Sequence, residues 1–232
     1  MLDVHPAPHA AHSWREFLIH IATIVIGLLI AIGLEQTVEH IHRRHQSEDL
    51  QAALHQEAVT NRRLIQYDYD SIDKVRRNIR LNMANLDRNG KAFVPVPPPH
   101  DTFLPFITTA WIAARGNGLI ILLPDQVAAS YWRVNSLADA MAAAIASLGD
   151  ARQKVNSLLY LHASPSQLTA GERADLLRAY SEEDQEIGNL NYIVIGFDFM
   201  NEAALAGHVP SIADVAAASQ RAQQHEGRPP QP

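Results

Sequence analysis

The chain contains no cysteine. That excludes disulfide bonds, thiol catalysis and zinc sites built on thiolates. It leaves the compartment open, because many exported proteins also lack cysteine. Positive charge is scarce: 19 Lys and Arg stand against 25 Asp and Glu, a net charge of −6. A duplex-binding domain carries a strong basic excess, so nucleic acid is not an expected partner. No phosphate-cradling glycine loop, nucleophile elbow or His-Glu-x-x-His pair occurs. Residues 35 to 89 hold neither proline nor glycine, so no breaker interrupts a helix there.

One feature is present without interruption. From Phe17 to Leu34, in "FLIHIATIVIGLLIAIGL", there is no charged side chain. A helix of that length spans roughly 27 Å, close to a ~30 Å hydrocarbon core. Trp14 precedes it at the position of an interfacial aromatic. His20, one turn inside, reads as an interfacial histidine rather than a proton relay. A buried soluble helix would keep a polar face, and this one has none. A cleaved signal peptide is the rival reading, with Ala31-Ile32-Gly33 as the cleavage site. Against it, the run exceeds an ordinary signal core, only Arg15 precedes it as a basic side chain, and the helical pattern continues through the supposed cut. An uncleaved anchor is expected. Gly27 and Ala31, four apart, form a small-xxx-small pair and are the candidate helix–helix contact. Flanking charges nearly tie, with Arg15 on one side and Arg43 and Arg44 on the other. The short leading tail and long following domain favour a C-terminal domain outside the cytoplasm.

The 232-residue chain divides by composition. Residues 1–13, rich in proline and alanine, read as a disordered tail, and 14–35 as the transmembrane helix. Over 36–90 apolar residues recur at Val38, Ile41, Leu50, Leu54, Ala58, Ile65, Ile72, Val75, Ile79 and Leu86, spaced mostly by three, four or seven. This predicts an amphipathic stalk helix stopped at Asn89-Gly90. Residues 91–101, with "VPVPPPH", read as an extended proline-rich connector. Residues 102–222 read as a helical bundle and 223–232 as a loose tail. Within the bundle, Asp101 or Thr102 should cap a short helix through "FLPFITTAWIAAR", ended by Gly116-Asn117-Gly118. "LIILLP" is too short to cross a bilayer and reads as buried, strand or helix undecided. A long alanine-rich helix follows from Pro124 to about Leu161, with Asp125 at its positive end. A turn in "SPSQ" and a capping box, Thr169 to Glu172, open another helix. That helix ends in "NYIVIGFDFMNEAAL", apolar almost all round and therefore central. Ser211 to Asp214 resembles a second capping box, for a short last helix. The fold class is all-α: a transmembrane helix continuing into a stalk, then an antiparallel helical bundle.

Twelve histidines invite a metal reading. His5, His9 and His12 lie in the leading tail, where nothing fixes them as ligands. Glu35, Glu39, His42, His45 and Asp49 share one helix face. Di-metal bundles need two Glu-x-x-His motifs on facing helices, and one is present, so Glu39, His42 and His45 are only weak metal candidates on a solvated face. Asp198, inside an apolar helix, is the candidate functional acid. A structural ion pair with Arg115, Arg133 or Arg152 is the expected account of it. No catalytic residue and no cofactor are expected.

The run "IVIGLLIAIGLEQTVEHIHRR" and the later "LHQEAVTNRRLI" resemble a group of uncharacterised bacterial single-pass membrane proteins with an anchor of the "GLLIAIGLEQ" type. The resemblance covers residues 14 to 66, with a looser echo over residues 109 to 132. It implies an inner-membrane protein with a helical domain and transfers no catalytic residue. The expected function is a non-enzymatic, membrane-anchored interaction or accessory protein, with the lipid bilayer and a protein partner or second copy as partners. A ligand-sensing domain using Asp198 and the arginines is the alternative, and an enzyme built on the Glu39/His42/His45 face is third.

Overall fold

The computed structural model describes residues 14–88, 93–99, 103–161, 168–211, 213–218 and 220. The leading tail, Asn89-Gly90, Asp101-Thr102, the "SPSQ" turn and the closing residues therefore lie outside the described part. The elements are α1 (Trp14–Arg88), α2 (Thr109–Gly116), a 3-10 turn (Leu119–Leu122), α3 (Asp125–Leu161) and α4 (Ala170–Leu205). A short helical stretch covers 213–218. No strand occurs among the described residues. The protein is all-α. It divides into two compact units, Met1–Glu48 and Asp49–Pro232.

In the first unit, α1 is exposed on every side over the apolar run. One 18-residue window is long and apolar enough to cross a membrane, and none of it is buried. Thr23 and Thr37 return their hydroxyls to the carbonyls of Ile19 and Gly33, at 2.9 and 2.7 Å. Those bonds keep polar groups satisfied inside the helix itself, as an apolar solvent requires.

The second unit is built on a 3.5-residue repeat. On α1 the seam is Leu54, Ala58, Asn61, Ile65, Asp68, Ile72, Val75, Ile79, Asn82 and Leu86, none more than 2% exposed. Spacings alternate four and three, the knobs-into-holes pattern. On α4 the same alternation runs through Leu176, Tyr180, Glu183, Ile187, Leu190, Val194, Phe197, Asn201 and Ala204, all buried. On α3 it runs through Val134, Leu137, Met141, Ala144 and Leu148, packed into the same core. Residues 49–88, expected to stand as a stalk, thus belong to the folded unit and supply one wall of its core.

Cross-links fix the directions. α4 runs antiparallel to α1, because Asn201 meets Ala58 while Asp184 meets Arg80. It runs antiparallel to α3 as well, because Glu183 meets Arg152 while Pro210 meets Arg133. α4 opens with the Thr169–Glu172 capping box. It closes on Gly207 at φ 72°, with His208 and Gly207 donating to the carbonyls of Ala203 and Ala204. This is the Schellman pattern, which needs the left-handed residue that glycine supplies most cheaply. Ser211 and Asp214 bond reciprocally ahead of the 213–218 stretch.

Two local expectations are corrected. Residues 103–108 are extended, and α2 begins only at Thr109. Pro105 disfavours a helical Leu104, and side chains of α1 claim the backbone groups a helix would have used. The "LIIL" residues form a 3-10 turn in which none of the four is fully buried: Leu119 and Ile120 pack half-buried against the core and Ile121 is exposed. The following Leu123 is buried in the core.

Candidate functional site

Where α1 faces residues 93–99 and 103–110, polar side chains on it read a backbone. Asn61 donates to the carbonyl of Ile107 at 2.8 Å and accepts from the Ile107 N–H at 2.7 Å. Asn82 does the same with Val96, at 3.0 and 2.7 Å. Asp68 accepts from the Leu104 N–H at 3.3 Å. Glu57 accepts from the Ala110 N–H at 2.7 Å, at the first turn of α2. Each carboxamide thus behaves as a strand's peptide group does, closing a two-bond ring on a chain that has no strand beside it. The prolines around Val96 have no N–H to satisfy, so the one donor that needs a partner receives it. Phe93, Phe103 and Phe106 are buried, and Phe106 stacks on Phe197 with centroids 3.6 Å apart. The proline-rich segment is therefore laced along α1 and forms part of the fold.

Burial sets the electrostatics of this zone. It pushes the Asp68 carboxyl up to about 6, against a lesser pull downward from the Leu104 N–H. Asp68 Oδ2 and the Ser71 hydroxyl have no hydrogen-bond partner among the described residues. A neutral carboxyl suits such a place, because an unpaired buried charge is far costlier. Burial also raises Glu57, while the α2 amides pull it back. Tyr131 is pushed up to about 12 by burial and by the nearby Glu57 charge.

Asp198 lies on the α1–α4 contact. Its carboxylate accepts from the Tyr69 hydroxyl at 3.3 Å. Arg62 forks onto Glu202 with two bonds of 2.6 Å. Burial raises the Asp198 pKa, Tyr69 lowers it, Glu202 raises it and Arg62 lowers it. The expected ion pair with Arg115, Arg133 or Arg152 does not form. Arg133 donates to the Pro210 carbonyl and Arg152 pairs with Glu183 at 3.1 Å. The acid takes a hydroxyl instead, from the helix that packs opposite it. Asn201, one turn on, donates to the Ala58 carbonyl at 2.9 Å from a fully buried position. The arrangement clamps two helices.

The other sequence candidates sit apart. Glu39 pairs with Arg43 at 2.5 Å, both exposed, and the exposed His42 meets the half-buried Gln46 at 3.1 Å. His45 is exposed on the same helix. Among the described residues no three His, Asp or Glu side chains come together as metal ligands. Gly27 and Ala31 are exposed, and nothing lies within 4 Å of a Cβ added at Gly27. A cavity of about 150 Å³ opens between α3, α4 and the 213–218 stretch, lined by Leu137, Ile193, Gly196, Phe199, Met200 and Val215 among others. Its walls are apolar, and Asp198 is not among them.

Sequence reading passed over Glu57, Asn61, Asp68 and Asn82. A signal was present for three of them. Counting sevens from Leu54 gives 61, 68, 75 and 82, so three polar residues occupy seam positions. A polar residue in a seam announces a dedicated partner.

No protein-family model, no curated protein and no solved structure matches this chain.

Proposed function

We propose that the protein is a membrane-anchored, non-enzymatic helical interaction or accessory protein of the bacterial envelope. One observation carries the reading. A wholly exposed apolar segment, residues 17–34, continues as one helix into a unit with its own closed core. The first part has the length and composition to hold a bilayer, and the second has the long helical faces that protein partners dock on. Several polar side chains of that unit serve its own packing, Asn61, Asn82, Asn201 and Glu57 on backbone groups and Glu183 on Arg152, which supports the same reading. In this reading the chain is a single-pass protein of the inner membrane, with its C-terminal domain outside the cytoplasm. Gly27 and Ala31 are the contact through which a second copy associates.

The test is crosslinking in intact cells, membrane solubilisation, capture of the tagged full chain and mass spectrometry. A recurrent stoichiometric partner, or a crosslinked second copy, sustains the reading. Protein recovered alone from every crosslinking condition sinks it. Peptides from residues 1 to 16 on the mature chain mean an anchor, and a new N-terminus at Leu34 means a cleaved signal.

A further inference from the structure

We infer that α1 pairs with α1 of a second copy beyond the apolar run, as a short parallel coiled coil through Leu34, Val38, Ile41 and His45. The inference rests on the membrane-anchored reading above and carries its Gly27–Ala31 contact out of the bilayer.

The observation is one of register. Val38 and Ile41 are the two apolar side chains among residues 35–48, and they are 66% and 50% exposed. Scattered apolar residues on a surface need no explanation. These two are not scattered. From Gly27, spacings of four, three, four, three and four reach Ala31, Leu34, Val38, Ile41 and His45. α1 is a single helix through all of them. At 3.6 residues per turn these side chains lie within about 40° of one line. All are exposed, and nothing lies within 4 Å of a Cβ added at Gly27. The chain thus carries an unpartnered four-three seam, the pattern by which two helices interlock.

The seam itself says what covers it. Ile41 lies about 10 Å beyond Leu34 along the helix, whereas a headgroup layer is only roughly 5–7 Å deep. Lipid therefore ends before the seam does. Val38 and Leu34 occupy the two kinds of core position in the combination, β-branched then leucine, that favours two parallel strands. Copies anchored by the same segment in one bilayer stand parallel at one height, so each seam meets its own counterpart. The flanking charges agree with that partner. In a parallel pair each flank residue meets the opposite flank five residues further on. Arg44 then meets Asp49 of the other copy, twice by symmetry, while Thr37 meets His42 and Ile30 meets Glu35. No like charges are opposed there. Arg44 also bonds Glu48 of its own helix through Nε at 2.9 Å, and a guanidinium has donors for both. His45, polar in a core position, fixes the register, and Glu48 in the next one ends the seam.

The absence of native cysteine makes the test direct. Single-cysteine variants of the tagged full chain are oxidised with copper phenanthroline in native membranes and resolved on non-reducing gels. Val38→Cys and Ile41→Cys lie on the seam, and Gln36→Cys and Arg43→Cys lie on the opposite face. Ala31→Cys and Leu29→Cys make the same contrast inside the apolar run. Val38→Cys and Ile41→Cys should give several-fold more disulfide-linked dimer than Gln36→Cys and Arg43→Cys. That contrast without one between positions 31 and 29 keeps the coiled coil and removes the Gly27–Ala31 contact. A contrast at 31 against 29, with 38 and 41 no better than 36 and 43, overturns the inference and leaves the membrane contact standing. No contrast in either place removes self-association altogether, and resistance of the same chains to carbonate extraction then tells whether the anchor survives. A linked band of another mass at 38 or 41 means a different protein covers the face, and that also overturns the inference.

Discussion

The two ends of α1 share one helix and solve opposite problems. Residues 17–34 carry no charged side chain and are exposed on every face. Residues 54–86 are polar on most faces, and they bury a single seam in which three of ten positions are Asn or Asp. The first has the length and composition to cross a membrane, and a helix solvated by hydrocarbon needs no pattern, only length and self-satisfied polar groups. In the second, the solvent is water, so the pattern is everything. A polar residue is tolerated inside the seam because it binds an otherwise orphaned peptide group. Hydrophobicity alone therefore locates the first region and misjudges the second.

The comparison breaks most completely at the anchor. Lysine at both Ile26 and Leu29 should abolish integration, since each lysine at mid-span costs roughly 2.5–3.5 kcal/mol. Carbonate extraction should move the chain from pellet to supernatant, while circular dichroism of the soluble unit stays helical. The reverse experiment is a polar-to-apolar change in the seam. Asn61→Ala removes a side chain yet leaves the Ile107 N–H and carbonyl without partners. An orphaned group costs about 1–3 kcal/mol where water cannot replace the bond, and Ile107 is partly open to water, so urea denaturation should lose about 1–2 kcal/mol. A loss under half a kcal/mol would mean the extended segment is not held as described.

Acidity sharpens the contrast further. The Asp68 carboxyl stands at about 6 when folded, against ~3.9 in an unfolded chain. The folded state thus binds the extra proton between those values, and stability falls as pH rises from about 4 through about 6. Asp68→Asn should flatten that fall in urea midpoints measured across the window. An unchanged slope would assign the fall to Glu57, Glu183 or Asp198, which burial also raises. The smallest effect belongs to the α4 cap. Thr169→Ala breaks a reciprocal pair with Glu172 and should cost about 1 kcal/mol, read as a small shift in midpoint with the denaturant slope unchanged.

Much of the helical architecture was legible because it depends on neighbours in sequence. The limits of α3 and α4 follow from Pro124, from the Thr169–Glu172 box and from apolar spacing. The sites were less legible. Asp198 was recognisable as an acid in an apolar helix, but its partner, Tyr69, lies 129 residues away in the chain. Arginines nearer in sequence were the wrong candidates for that reason. Asn61 and Asn82 were hidden because composition counts them as surface residues, and only the seam register marks them as core.

The sequence by itself determined that the protein is helical, where an apolar segment of membrane length lies, and where α3 and α4 start. Those properties follow from local backbone preferences and side-chain periodicity. Only the tertiary structure decided that residues 49–88 supply one wall of the core, that residues 93–99 and 103–108 stay extended along α1, and that Leu119–Leu122 form a half-buried 3-10 turn. Each of those depends on which distant group meets a given N–H, carbonyl or apolar side chain, and a linear pattern does not contain that information.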